Sequence, residues 1–313
     1  MVDLVTIGYL TLDDLVLADG RVLRDRLGGG ALFSAVGARL WAATVGIHAC
    51  TGGDYPATYR RRIEAAGLDL AGVTVGPARG LRLWLLEEGG GQKQQLPKLS
   101  SARVEEMDGA RAPLPVAYRT AGGFHVATSL PVTQAAAVRA IRAVAPGAVV
   151  SLDLWVESFF DAAPYRDPAF LAGVDAFLPS EKEVEQLWGG DDLLGTMRRL
   201  AGQGPRVVAV KRGEQGSLVY DRVGDRGWAV PAVPVAAVDT TGAGDAYCGG
   251  FLAGLVATGD PLEAALWGTV SASFAVEGHG AEAGMTFDQA AAQRRLAALR
   301  ARVRPEFGER GTG

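Results

Sequence analysis

The stretch Asp239-Thr240-Thr241-Gly242-Ala243-Gly244-Asp245, continuing into Ala246-Tyr247-Cys248-Gly249-Gly250-Phe251, is the part of the chain best suited to chemistry. A strand over Val233 to Val238 feeds a turn of small residues, and the turn opens a long small-residue helix, about Asp245 to Ala257. At such a start several backbone N–H groups lack partners, with the positive end of the helix dipole behind them. Side chains without bulk let a phosphate come close to those groups. Asp245 suits the dipole but repels a phosphate, unless it has a chemical task. A carboxylate beside an anion hole can take the proton of an attacking hydroxyl while Gly242, Ala243 and Gly244 hold the transferring phosphoryl group. The same residues also fit a plain helix start, capped by Thr241 and stabilised by Asp245, with a cap worth about 1 kcal/mol. Spacing alone leaves both readings open.

Other chemistries are narrowed by what the chain lacks. Cys50 and Cys248 are its only cysteines, so a disulfide framework and a cysteine zinc site are not expected. Its three histidines, His48, His125 and His279, form no HExxH or HxH cluster. There is no GxxxxGK[ST] phosphate loop. The pattern Gly242-x-Gly244-x-x-Tyr247 lacks the third glycine of a dinucleotide fingerprint and lies far from the N-terminus. With 31 Lys plus Arg against 35 Asp plus Glu, the net charge of −4 argues against a nucleic-acid partner. That balance says little about small anionic ligands, which need only local positive potential. No run approaches ~18 apolar residues, so no membrane contact is expected. Met1-Val2-Asp3-Leu4-Val5 reads as a first strand and not as a signal peptide, and a cytoplasmic location is the expectation.

The 48% hydrophobic, 21% charged composition can bury a sizeable core. Strands are expected at Val2–Gly8, Thr44–Ala49, Leu81–Glu87, Gly122–Ala127, Ala148–Leu152, Ala176–Leu178, Arg206–Lys211 and Ser217–Tyr220, with Gly89-Gly90-Gly91 as a hairpin turn. Helices are expected at Ala31–Trp41, Tyr55–Ala66, Val132–Val144, Glu181–Trp188, Leu262–Ala275 and Phe287–Val303. This alternation predicts an α/β fold with a mostly parallel sheet and helices on both faces. Residues 1–304 read as one domain. Segments near 12–25 and 79–96 alternate like exposed strands of a small β lid, and 305–313 reads as a flexible tail.

The turn from Asp239 to Asp245 with Gly249-Gly250-Phe251 is similar to the C-terminal signature of the ribokinase/PfkB carbohydrate kinase family. The resemblance runs through residues 2 to 300 by weaker motifs in the family's order. It implies a ribokinase-like three-layer αβα sandwich with a small β lid. Gly28-Gly29-Gly30-Ala31 resembles the double-glycine motif on the substrate side, and Asp13 matches the family's substrate-binding aspartate. Phe33 stands where ribokinase-like members place a sugar-binding Asn, which implies a more apolar or larger acceptor than ribose. Gly52-Gly53-Asp54 matches a strand-end pair whose aspartate reads as a helix cap. Leu178-Pro179-Ser180-Glu181-Lys182-Glu183 resembles the Asn-x-x-Glu motif that organises Mg²⁺, with Glu183 at the glutamate position and Ser180 in place of Asn. Val207 to Ser217 matches the strand–turn–strand under the nucleotide, which assigns Lys211, Gly213 and Gly216 to ATP. Ala275 to Ala281, including Gly280, falls at the adenine pocket edge and a monovalent-cation loop, where Asp239 with nearby carbonyls would bind K⁺.

The function implied is ATP-dependent phosphorylation of a hydroxyl on a sugar, sugar acid or nucleoside, with Asp245 as base. A non-catalytic ligand-binding or scaffold relative is the alternative, favoured by Ser180 and Phe33 and opposed by the intact Asp245 turn. A homodimer through the lid is a further expectation. Asp153, Trp155 and His125 lie on the substrate side without assigned roles.

Overall fold

Short Val-, Leu- and Ala-rich runs form the centre of the molecule because both of their faces are covered. The computed structural model describes residues 2–88, 92–109, 111–156 and 161–307. The expected turn at Gly89-Gly90-Gly91 and the tail from 308 onward lie outside the described residues. In chain order the strands are β1 (Leu4–Ile7), β2 (Thr11–Val16), β3 (Val22–Gly28), β4 (Val45–Thr51), β5 (Leu68–Val75), β6 (Leu81–Glu88), β7 (Gln92–Pro97), β8 (Gly123–Val126), β9 (Val149–Leu152), β10 (Ala176–Phe177), β11 (Val207–Lys211), β12 (Ser217–Asp221), β13 (Arg226–Val230) and β14 (Arg304–Phe307). The helices are α1 (Gly30–Arg39), α2 (Ala57–Ala65), α3 (Val104–Gly109), α4 (Pro131–Val144), α5 (Glu181–Trp188), α6 (Leu193–Ala201), α7 (Ala243–Thr258), α8 (Pro261–Ala275) and α9 (Gln289–Arg300).

Among the described residues the main sheet has ten strands in the order β14-β13-β12-β11-β10-β9-β8-β1-β4-β5. Pairing from β5 through β11 is parallel, and β12, β13 and β14 add an antiparallel edge. Alternate strand residues face two separate cores. Val5, Phe124, Val150 and Val208 pack with Val138, Ile141, Val184 and Leu200 of α4, α5 and α6. Leu4, Ala176, Val207 and Ala209 face the opposite side, where α1, α7 and α8 lie. The result is the expected αβα sandwich. No described helix is long and apolar enough to cross a membrane.

The second side is unusually close-packed because small residues meet there. A Cβ at Gly249 would lie 1.8 Å from the Ser34 carbonyl of α1, and one at Gly37 2.1 Å from the Ala246 carbonyl of α7. Ser271 of α8 ties the layer together: its hydroxyl donates to Gly37 O (2.9 Å) and accepts from Trp41 Nε1 (2.8 Å). These contacts fix the start of α7 against α1.

Among the described residues the segments near 12–25 and 79–96 lie in a separate four-stranded sheet, order β3-β2-β6-β7, in which β2 is buried along most of its length and not an exposed alternating strand. Other expectations shift. Residues 233–238 are not a strand; the sheet is extended instead by Arg226–Val230, whose Trp228 and Val230 alternate with Gly227 and Ala229. Residues 305–307, read as the start of a flexible tail, join Arg304 in an edge strand that pairs antiparallel with β13. Asp54 is not a helix cap, since Pro56 occupies the α2 N-cap. Its Oδ1 accepts from the Gly80 N–H (2.8 Å) and its Oδ2 from Arg82 Nε (3.2 Å), so it anchors the base of the lid.

Candidate active site

The main-sheet strands β1, β8, β9, β10 and β11 end on one side of the sheet, where α/β folds build their sites. Gly8, Thr128, Asp153, Ser180 and Lys211 mark those ends. Above them α7 begins at Ala243, with Gly242 at the N-cap in the left-handed region (φ 74°) and no side-chain cap. A Cβ on Gly242 would lie 2.2 Å from Phe33 Cδ1. Phe33, expected to face substrate, is therefore buried as the floor of the turn. Thr241 is not the cap either; its hydroxyl accepts from Lys93 Nζ at 3.0 Å.

Asp245 sits in the first turn of α7 with Oδ1 buried and without a hydrogen-bond partner. A Cβ at Gly30 would lie 2.8 Å from that oxygen and 2.8 Å from Thr128 Oγ1, so only glycine there leaves space beside the buried carboxylate. Burial, followed by the Asp153 charge, pushes the Asp245 carboxyl up to about 7, with Lys211 opposing.

Lys211 reaches under the turn. Its ammonium pairs with the Asp153 carboxylate and lies 3.6 Å from Cys248 Sγ. A Cβ on Gly244 would come within 3.4 Å of it. Burial alone lowers the Lys211 pKa, but Asp153, Cys248 and Glu183 outweigh it and hold the amine protonated. Asp153 is thus part of the site, although its partnership with Lys211 spans 58 residues and left no local signal. Glu183 closes a capping box at α5: its Oε2 accepts from the Ser180 N–H and hydroxyl, both at 2.7 Å, while Ser180 Oγ accepts from the Glu183 N–H. Burial, then Asp153, raises its carboxyl to about 7.

On the lid side, Asp13 Oδ2 accepts from Thr11 Oγ1 (2.8 Å) and its Oδ1 is buried without a partner. Burial raises this carboxyl to about 7 against the pull of Thr11 and Lys98. A Cβ at Gly28 would lie 2.0 Å from Asp13 Oδ2, and one at Gly29 (φ 99°) 2.2 Å from Tyr9 O. The glycine run 28–30 therefore passes between two buried carboxylates, each with one oxygen unpartnered. The structure brings Asp13, Gly29, Gly30, Asp245 and the 242–244 turn together, with Lys211 and Glu183 behind. Gly213 and Gly216 hold positive-φ positions in the turn from β11 to β12.

The remaining two expected residues are placed differently. Asp239, expected to face a monovalent cation, pairs through Oδ1 with the Lys93 ammonium and accepts there from the Thr241 N–H (2.9 Å); its Oδ2 lies 3.3 Å from His279 Nδ1. Burial raises the Asp239 carboxyl, but Lys93 and Thr241 overcome this and hold it below the usual range. Gly280, expected at the adenine edge, lies at a tether between lid and body: Glu282 accepts from Arg26 Nη1 and from the Leu27 N–H, both at 3.1 Å. A Cβ on Gly280 would lie 2.5 Å from Glu282 Oε2.

A buried carboxylate with one unpartnered oxygen, in the first turn of a helix whose glycine N-cap carries no side-chain cap, on the carboxyl ends of a parallel sheet and under a β lid, is the arrangement of a phosphotransferase whose acceptor is an alcohol. The sequence pattern of the pfkB family carbohydrate kinases matches residues 3–287. The chain is 31% identical to cytidine kinase of Thermococcus kodakarensis over 265 residues, covering 84% of this chain and 91% of that one. It is 30% identical to the ATP-dependent ribose-1-phosphate kinase of Halopiger xanaduensis over 294 residues, covering 90% and 93%. A putative ribokinase II from E. coli, solved with ATP and Mg²⁺, superposes with a TM-score of 0.77 at 21% identity, covering 95% of this chain and all of that one. The chain belongs to the pfkB family of carbohydrate kinases.

Proposed function

We propose that the chain transfers the γ-phosphoryl group of ATP to a hydroxyl of a ribose substituted at C1, with Asp245 as general base. The unpartnered, buried Oδ1 of Asp245 beside Gly30 carries this reading. The acceptor O–H donates to that oxygen. As the O–P bond forms, the proton passes to Asp245 and the bond to the departing ADP oxygen breaks. The N–H groups of Gly242, Ala243 and Gly244 take the charge growing on the phosphoryl oxygens, that of Ala243 giving up its long bond to Thr240 O (3.3 Å). Asp13, through its open Oδ1, accepts from neighbouring hydroxyls, and Gly29 and Gly30 let the sugar lie close to the backbone. Cytidine and ribose-1-phosphate, the acceptors named for two relatives, are both C1-substituted riboses.

Glu183, its buried carboxylate oriented by the Ser180 N–H and hydroxyl and lying in the field of both Asp153 and Lys211, would hold a Mg²⁺ through water. When bound, Mg²⁺ neutralises β- and γ-phosphate oxygens. Lys211, Gly213 and Gly216 form the nucleotide side.

The test is ADP release with Mg-ATP across cytidine, other nucleosides, ribose-1-phosphate, ribose, fructose and sugar acids. A C1-substituted ribose should be preferred. Asp245→Asn should bind nucleotide as before and lose about 10²- to 10⁴-fold in kcat. Near-native turnover by that variant would overturn the base assignment. Nucleotide binding with no turnover of any acceptor would favour the scaffold reading.

A further inference from the structure

The Asp239 pocket does not fit a free monovalent cation. One carboxylate oxygen is taken by the Lys93 ammonium and the Thr241 N–H, and the other faces His279. Lys93 belongs to β7, the lid's outer strand, and its Nζ also donates to the Thr241 hydroxyl (3.0 Å) next to the Gly242 N-cap. Both ends of the pair are shielded: the side chains are 19% and 3% exposed. Asp239 is fixed from the body side as well, since its N–H and that of Val238 donate to Val276 O (3.2 and 2.7 Å). A cation carried by the lid thus reaches the residues that shape the anion-binding turn.

We propose that Lys93 is a positioning residue that serves as a tethered monovalent cation: its ammonium sets the Asp239–Thr241 segment, and through it the 242–244 turn, only while the lid is seated. The proposal rests on the kinase reading of that turn. Its physical content is that one ion pair both seats the lid edge and orders the amides that receive phosphate. A lysine does this without a metal ion from solution, and it withdraws when the lid opens.

Hydrogen exchange on the purified chain tests this without turnover. Lys93→Met should speed exchange in peptides covering 81–97 and also in those covering 239–244. Added KCl, against tetramethylammonium chloride at equal ionic strength, should restore protection at 239–244 but not at 81–97. Lys93→Arg should keep protection in both. In the activity arm, the unsubstituted enzyme should run at the same rate in either salt. Lys93→Met should lose about tenfold or more in kcat, the scale of one charged hydrogen bond, and should regain part of it in KCl. Unchanged exchange at 239–244 in Lys93→Met, or several-fold activation of the unsubstituted enzyme by KCl, would overturn the proposal. Should no acceptor turn over, the kinase reading fails while the exchange result still decides the role of Lys93.

Discussion

Asp245 is held near neutrality by its surroundings, and this has consequences for both rate and stability. On its proposed role as base, a carboxyl raised to about 7 means that kcat/KM should rise through about pH 7 and level above it. A profile flat from pH 5 to 8 would contradict this. The sign for stability is opposite. The folded pKa lies above the unfolded value of 3.8, so between them the native state binds more protons and stability falls as pH rises. Asp245→Asn removes that penalty. Its melting temperature relative to the parent should therefore increase from pH 4 to pH 8, read by calorimetry. Asp13 lies at the other end of the glycine run, where the proposed reading has it accept from acceptor hydroxyls. Asp13→Asn should raise the acceptor KM about tenfold, the scale of one charge-assisted hydrogen bond, with a smaller effect on the KM for ATP.

At the scale of elements, α7 can present its amides only because it is clamped to α1. Gly249→Ala puts a methyl 1.8 Å from a backbone carbonyl that cannot swing away. A loss of about 1–3 kcal/mol is expected by chemical denaturation, the usual cost of overpacking. Gly147, whose added Cβ would meet nothing within 4 Å, should tolerate alanine within about 0.5 kcal/mol. The local parts of this arrangement were legible in the sequence: the small-residue turn, the acid in the first helical turn, and the presence of strands near 12–25 and 79–96. Long-range parts were not. The Lys93–Asp239 pair joins positions 146 residues apart, and nothing in the lid strand singles out one lysine. Phe33 was legible as a departure but not as the floor of Gly242, because its direction depends on how α1 meets α7. Residues 233–238 carry the composition of a strand, yet β13 already occupies the place beside β12 and β14 the edge beyond it.

The whole molecule is a sandwich with a lid held at two edges, Lys93 on β7 and Arg26 with Leu27 beside Glu282 on β3. The second tether is testable by itself. Glu282→Gln, which weakens both the Arg26 ion pair and the Leu27 N–H bond, should raise the acceptor KM about tenfold and lower the melting temperature of the free enzyme by a few degrees. An equal rise in the ATP KM would mean that the tether serves the body and not the lid.

Both cysteines are sealed inside, Cys50 at 1% and Cys248 at 0% exposure, and Cys248 is further disfavoured as a thiolate by burial and by Asp153. Native protein should therefore ignore an aromatic disulfide reagent, and each label taken up should record one opening event. Because Cys248 lies on the same helix as Asp245, its labelling clock reads how often that end of the molecule breathes, with no engineered probe.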